Sequence, residues 1–200
     1  MPELIGHGKL SGSELIVLHG AALPTPVLAF WSWALSDVIS NTARGLLAEF
    51  FVACDLGVTD AMRVEWAPFD LTSRGGIRVE VKSSAYIQRW TQKRVTSPSF
   101  SVTPTRFWDQ DVGDYVGERK RHADVYVFCL HAHQDRATLN PLDVRQWQFF
   151  AAPTTLLDTH LGAQKTVGLR TLQRMGVAEV AYDAIDTTIT RLAGAMGEVR

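Results

Sequence analysis

The segment 64–84 reads VEWAPFDLTSRGGIRVEVKSS. From Ile77 to Ser83 apolar and polar residues alternate, the period of a half-buried strand, so Ile77, Val79 and Val81 share one face while Arg78, Glu80 and Lys82 share the other. The run from Val64 to Leu71 predicts a strand before it, and Arg74-Gly75-Gly76 is a three-residue hairpin loop joining the two. That loop sets a register: Ser73 opposite Ile77, Thr72 opposite Arg78, Leu71 opposite Val79, Asp70 opposite Glu80. Opposed residues point the same way with Cβ atoms about 4.5–5.5 Å apart, and like charges so placed are destabilising. A divalent cation removes that cost. One or two carboxylates, a backbone carbonyl and water are the ligands Mg²⁺ prefers, and Lys82 stands beside Glu80 to orient or deprotonate a water.

Upstream, Val27, Phe30, Trp31, Ala34, Leu35 and Val38 fall on one helical stripe behind Pro26, with Trp33 pointing away from it. Asn41 is placed to cap a second helix that runs to about Leu56 and stops at Gly57. At 100° per residue its apolar face gathers Ala43, Leu46, Leu47, Phe50, Ala53 and Cys54. Glu49 sits at the border of that face, either as an ordinary boundary glutamate or as a third carboxylate reaching the Asp70–Glu80 pair. Residues 1–24 are broken by glycines, with Glu14–Leu18 long enough for one short strand.

Downstream, residues 85–94 combine Tyr86 and Trp90 with Gln88, Arg89, Gln92, Lys93 and Arg94, a mixture suited to phosphate contacts and base edges, or to a solvated surface helix. Residues 105–122 turn polar and read as a loop that ends in the basic run Arg119-Lys120-Arg121-His122, either a solvated edge or a set of nucleic-acid contacts pointing into the groove of the carboxylates, just ahead of a buried strand from Ala123 to Leu130. Asp124 opens that strand. His131 and His133 alternate on one face, but no further His or Cys pair stands at zinc-ligand spacing, so zinc is not expected. Another strand covers Trp147–Ala151, a short helix follows Pro153, and the last helix starts at Asp183–Asp186 and ends near Leu192 and Gly194.

Two hundred residues, 46% hydrophobic and 20% charged, suffice for one domain with a substantial core. We expect one domain over 1–200, with a core at about 41–152, an N-terminal helical extension at about 1–40 and a C-terminal helical region at about 153–200. The net charge of −1 gives no global nucleic-acid footprint, so any DNA contact must come from local basic patches. Cys54 and Cys129, both among apolar neighbours, read as buried reduced thiols of a cytoplasmic protein. No apolar run approaches the ~20 residues that span a bilayer, so no membrane partner is expected.

Asp70, the nine-residue interval to Glu80-Val81-Lys82, the upstream helix with Arg44-Gly45 and Glu49, and the strand Ala123–Phe128 together resemble the PD-(D/E)XK nuclease superfamily. The likeness spans about residues 41–130. The literal Pro-Asp pair is absent, since Phe69 precedes Asp70 and Pro68 stands one place earlier. The resemblance implies a restriction-endonuclease-like α/β fold, with a central mixed sheet of four to six strands flanked by helices. It also implies Mg²⁺-dependent hydrolysis of DNA phosphodiester bonds, with Mn²⁺ as substitute, in restriction or phage defence. Asp70 and Glu80 would hold the metal with the Val81 carbonyl, Glu49 would hold a second ion or a water, and Lys82 would position the attacking water. The same likeness implies a homodimer. The competing expectation is a silent nuclease-like module that binds DNA or a partner protein without cutting.

Overall fold

The computed structural model describes residues 8–65, 67–109 and 112–197. In chain order the elements are β1 (Leu15–Leu18), β2 (Ala21–Pro26), α1 (Val27–Leu35), α2 (Asn41–Asp55), β3 (Leu71–Thr72), β4 (Arg78–Ala85), β5 (Ser99–Ser101), β6 (Thr105–Asp109), β7 (Asp114–Lys120), β8 (Val125–His131), β9 (Trp147–Pro153), α3 (Thr154–Leu161), β10 (Thr166–Gly168), α4 (Leu169–Arg174), β11 (Glu179–Val180) and α5 (Ile185–Gly197). The fold is α/β. Five strands form a mixed sheet in the order β11-β9-β8-β4-β3, in which β4 and β8 run parallel and the other neighbours antiparallel. This architecture is compatible with a restriction-endonuclease-like fold.

β8 is buried along its whole length, as a central strand covered on both faces must be. One face packs Val79, Val81, Val125 and Val127 against Ala48, Phe51 and Val52 of α2 and Ile185 and Ile189 of α5. The other packs Tyr126, Phe128 and Leu130 against Leu157, Leu161 and Leu172 of α3 and α4 and against Phe100 of β5. Phe51 locks the first core by meeting Trp147 edge-on at 5.6 Å. Among the described residues no helix is long and apolar enough to cross a membrane.

The hairpin register is Leu71 opposite Val79 and Thr72 opposite Arg78, and Ser73 N–H donates to the Ile77 carbonyl at 2.9 Å. Gly76 takes φ +80°, which a residue with a Cβ rarely adopts. The strand expected over 64–71 is largely turn and bend, however, and Trp66 lies outside the described residues. Pro68 offers no N–H to a ladder, and the β3–β4 register ends at Leu71 without an Asp70–Glu80 pair: Asp70 meets β4 through its N–H on the Val79 carbonyl and through its side chain on the Val81 N–H.

Further expectations change. α2 is capped by the Ser40 hydroxyl, which accepts from Ala43 N–H at 3.2 Å, while the Asn41 side chain accepts from Arg44. Its buried face holds Ala43, Arg44, Ala48, Phe51, Val52 and Ala53, so Phe50 and Cys54 face outward. Residues 105–109 and 114–120, in the stretch expected as a loop, form the hairpin β6–β7, held by Trp108 stacked edge-on to Tyr115 at 5.0 Å. Residues before 41 hold the β1–β2 hairpin as well as α1. The C-terminal part adds β11 to the sheet edge, and α5 continues through Gly194, whose helical cost of about 1 kcal/mol does not stop it.

Candidate active site

β4 has α2 against one face, and β3 pairs with only its first residues. Beyond Leu71 the edge of β4 is open, and the Val81 N–H that a longer β3 would satisfy instead donates to Asp70 Oδ2 at 2.7 Å. Asp70 thereby lies over the middle of β4, while its own N–H donates to the Val79 carbonyl at 3.1 Å. The pleat sends Val79 and Val81 into the α2 core and Glu80 and Lys82 to the opposite face. There Lys82 Nζ forms an ion pair with Glu80 Oε1, both side chains staying partly exposed.

The Glu80 carboxyl is held above its ordinary range. Burial is the largest cause, and the charges of Asp70 and Glu49 raise it further against the pull of Lys82. Three acids therefore share one field, and Lys82 offsets it in part. Glu49 is not free in this arrangement: the Arg63 fork donates to both of its oxygens, with Nη2 3.2 Å from Oε1. Arg63 in turn keeps its proton more tightly, through that bond first and with Asp70 adding to the effect.

Among the described residues no three His, Cys, Asp or Glu side chains stand at metal-ligating separation. Asp70, which accepts from the Val81 N–H, the neighbouring Glu80 and the Val81 carbonyl could offer a cation oxygen donors only, the chemistry that Mg²⁺ takes together with several waters. The like charge around Glu80 fits a cation.

In the parallel register Glu80 lies beside Tyr126 and Lys82 beside Phe128. Burial pushes the Tyr126 hydroxyl up, and Glu80, Arg121, Asp158 and Asp70 all act on it. Arg121 and Asp158, with Thr103, Arg119, Lys120 and Lys165 among others, line a cavity of about 370 Å³. Arg119 and Lys120 are exposed on β7. Arg121 is buried and donates to the Val102 carbonyl at 2.9 Å and to Asp158 at 2.6 Å, so it holds the cavity wall instead of facing solvent. His122 is bound to the Thr105 carbonyl at 2.9 Å.

Residues 86–94, after the end of β4, form an irregular loop, not a helix. Gln88 is buried, with its amide on the Ala85 carbonyl at 2.9 Å and its Oε1 near Arg44. Gln92 staples the loop through Gln88 N–H, the Tyr86 carbonyl and Thr96. Arg89 pairs with Asp37 at 2.7 Å, and Lys93 and Arg94 are exposed. His131 lies in the core against Trp147, its pKa lowered to about 4 chiefly by burial. Asp124 accepts from the Arg78 backbone and guanidinium, tying β4 to β8.

Arg63, Tyr126 and Lys165 were not among the expected site residues. Tyr126 was within reach, because Tyr126, Phe128 and Leu130 share one face of the strand at period two. Arg63 and Lys165 lie in irregular chain, where no period marks which way a side chain goes.

The family model described as Bacteriophage T4 endonuclease IV matches residues 32–170, which include α2, β3, β4, β8 and every acid of the site. No curated protein matches the chain. With that match covering well over half of the sequence, the chain belongs to the bacteriophage T4 endonuclease IV family and is a nuclease.

Proposed function

We propose that this nuclease hydrolyses DNA phosphodiester bonds with Mg²⁺, for which Mn²⁺ can substitute, as an enzyme of PD-(D/E)XK type acting in restriction or phage defence. The carrying observation is the Asp70 carboxylate on the Val81 N–H, with Glu80 and Lys82 on either side of Val81 in the chain. Asp70, Glu80 and the Val81 carbonyl would hold the metal, which when bound supplies Lewis-acid polarisation of a phosphoryl oxygen and lowers the pKa of a water. Lys82 donates toward the attacking water or the phosphate, where negative charge grows as the phosphodiester is cleaved. Glu49, steadied by Arg63, adds negative charge that keeps the site attractive to a cation. Exposed Lys93, Arg94, Arg119 and Lys120 supply phosphate contacts, joined by Lys165 beside the cavity.

The test is cleavage of plasmid, linear duplex and single-stranded DNA in Mg²⁺ and in Mn²⁺. Lys82→Ala and Glu80→Ala should each lose at least about 100-fold, the scale of a lost charge-stabilising or proton-transfer group. Cleavage by both variants at the wild-type rate would dismiss the site assignment. Salt-dependent DNA binding without cleavage on any substrate or metal would mark a silent binding module.

A further inference from the structure

Between Glu14 and Asp37 the chain carries no Asp, Glu, Lys or Arg, a run of 22 residues. That run forms β1, β2 and α1, and the structure leaves it uncovered. β1 is exposed at every position and α1 buries no residue. Trp33 is 84% exposed, Val17 61%, Leu28 57% and Phe30 53%. A two-stranded hairpin is marginal alone in water, and an apolar surface of this extent on a folded chain marks an interaction site.

Nine large apolar side chains of residues 10–35 are exposed here. At about 200 Å² for a whole large side chain they present on the order of 900 Å², against about 800 Å² per partner in a standard stable interface. They are free of charge, as an interface centre is, and Phe30 and Trp33 supply the aromatic contacts enriched there. A lipid surface is the poorer occupant, because helices that lie on membranes carry Lys and Arg along their polar side and this run has none.

The two edges of the hairpin differ. β2 contains Pro24 and Pro26, and the register slips between Leu15 and Val17 so that the extra residues fall in β2. Prolines and bulges are what blunt a strand edge against pairing. β1, Leu15-Ile16-Val17-Leu18, has no proline and no charge. An edge that is open, apolar and neutral is complementary to itself: two copies placed antiparallel about a two-fold axis give each residue the same partner on both sides.

We propose that a second copy of this chain covers the arm, with β1 pairing antiparallel to β1 of the other copy and with Phe30 and Trp33 of α1 closing over the joint. Most of the arm precedes the 32–170 stretch that the family model matches, so the interface belongs to this chain's own N-terminal part. Five residues after α1, the chain enters α2 with Glu49, and Arg89 grips Asp37 at that junction. The dimer therefore fixes the two sites relative to one another.

Sedimentation velocity from about 1 to 100 µM tests this on the whole chain. The wild type should run at twice the 22.2 kDa chain mass. A Val17→Lys, Trp33→Glu double variant should run as a monomer, its dissociation constant raised at least about 100-fold, with the thermal unfolding of the core retained. Val17→Cys in a Cys54→Ser background should give a covalent dimer on oxidation. A monomeric wild type at 100 µM, or a dimer that survives the double variant, overturns the proposal; a dimer without the Val17→Cys crosslink overturns the β1 joint. Lys82→Ala should remain dimeric, so the result is independent of the cleavage assay.

Discussion

On one face of β4, Val79 and Val81 are shut against α2, Val79 completely. On the other face, one residue out of phase, Glu80 and Lys82 keep 17% and 26% of their side chains in solvent and are held by charge. The first face loses free energy if its side chains shrink. The second already carries a burdened carboxylate, whose ionisation burial and two neighbouring acids oppose. The pleat alone separates packing from chemistry here, so each face should be open to change without the other.

Glu80→Gln should show the largest effect, and it should split activity from stability. Cleavage falls at least about 100-fold, since a neutral amide cannot replace the carboxylate. Stability without metal should rise. The folded protein holds the Glu80 proton more tightly than the unfolded chain does, so wild-type stability declines as pH climbs from the ordinary value of 4.5 through the raised one. Glu80→Gln removes that decline, and its melting temperature at neutral pH should exceed that of wild type by about 2–4 °C, the shift that ~1 kcal/mol gives a chain of this size. Thermal melts of both proteins at pH 4 and pH 8 measure it. A variant that melts lower than wild type at pH 8 would mean that the ion pair with Lys82 outweighs the burial.

Val79→Ala probes the closed face and should do the reverse. It removes two buried carbons from a wholly enclosed position and should cost about 2 kcal/mol, or about 4–8 °C in melting temperature. Cleavage measured well below that temperature should stay within about threefold. A loss of cleavage comparable to that of Glu80→Gln would show that the two faces are coupled through the strand.

The same contrast explains what was legible in the sequence. The β3–β4 register could be read because one face of β4 is apolar at every second place and a one-residue slip would expose Val79 and Val81. The β6–β7 hairpin has no buried face: its two apolar pairs, Phe107 with Val116 and Trp108 with Tyr115, fall on opposite sides and none of the four is buried, so no single face alternates and the stretch reads as loop. Glu49 at the edge of α2 followed from helical period, but its grip by Arg63 did not, since that contact joins a helix to an irregular segment 14 residues away. Gln88 and Arg121 show the limit from the other side. A polar residue in a basic run looks solvated until the fold supplies buried carbonyls, here those of Ala85 and Val102, that need a donor.

The smallest effect asks how far the open face reaches. Tyr126 lies beside Glu80 and also within the influence of Arg121 and Asp158, which line the cavity that Arg119, Lys120 and Lys165 border. If a DNA strand follows that line, each exposed cation along it neutralises about one phosphate, and its removal lowers the slope of log affinity against log salt by roughly one. Lys165→Ala and Arg119→Ala should each do so with cleavage at low salt reduced only about two- to fivefold. Arg121→Ala is the contrast, because its charge is spent on Asp158 and on backbone carbonyls: it should lower the melting temperature and leave the salt slope where it was. Equal slopes for wild type and Lys165→Ala would confine the open face to β4 itself and send the DNA by another path, past Lys93 and Arg94.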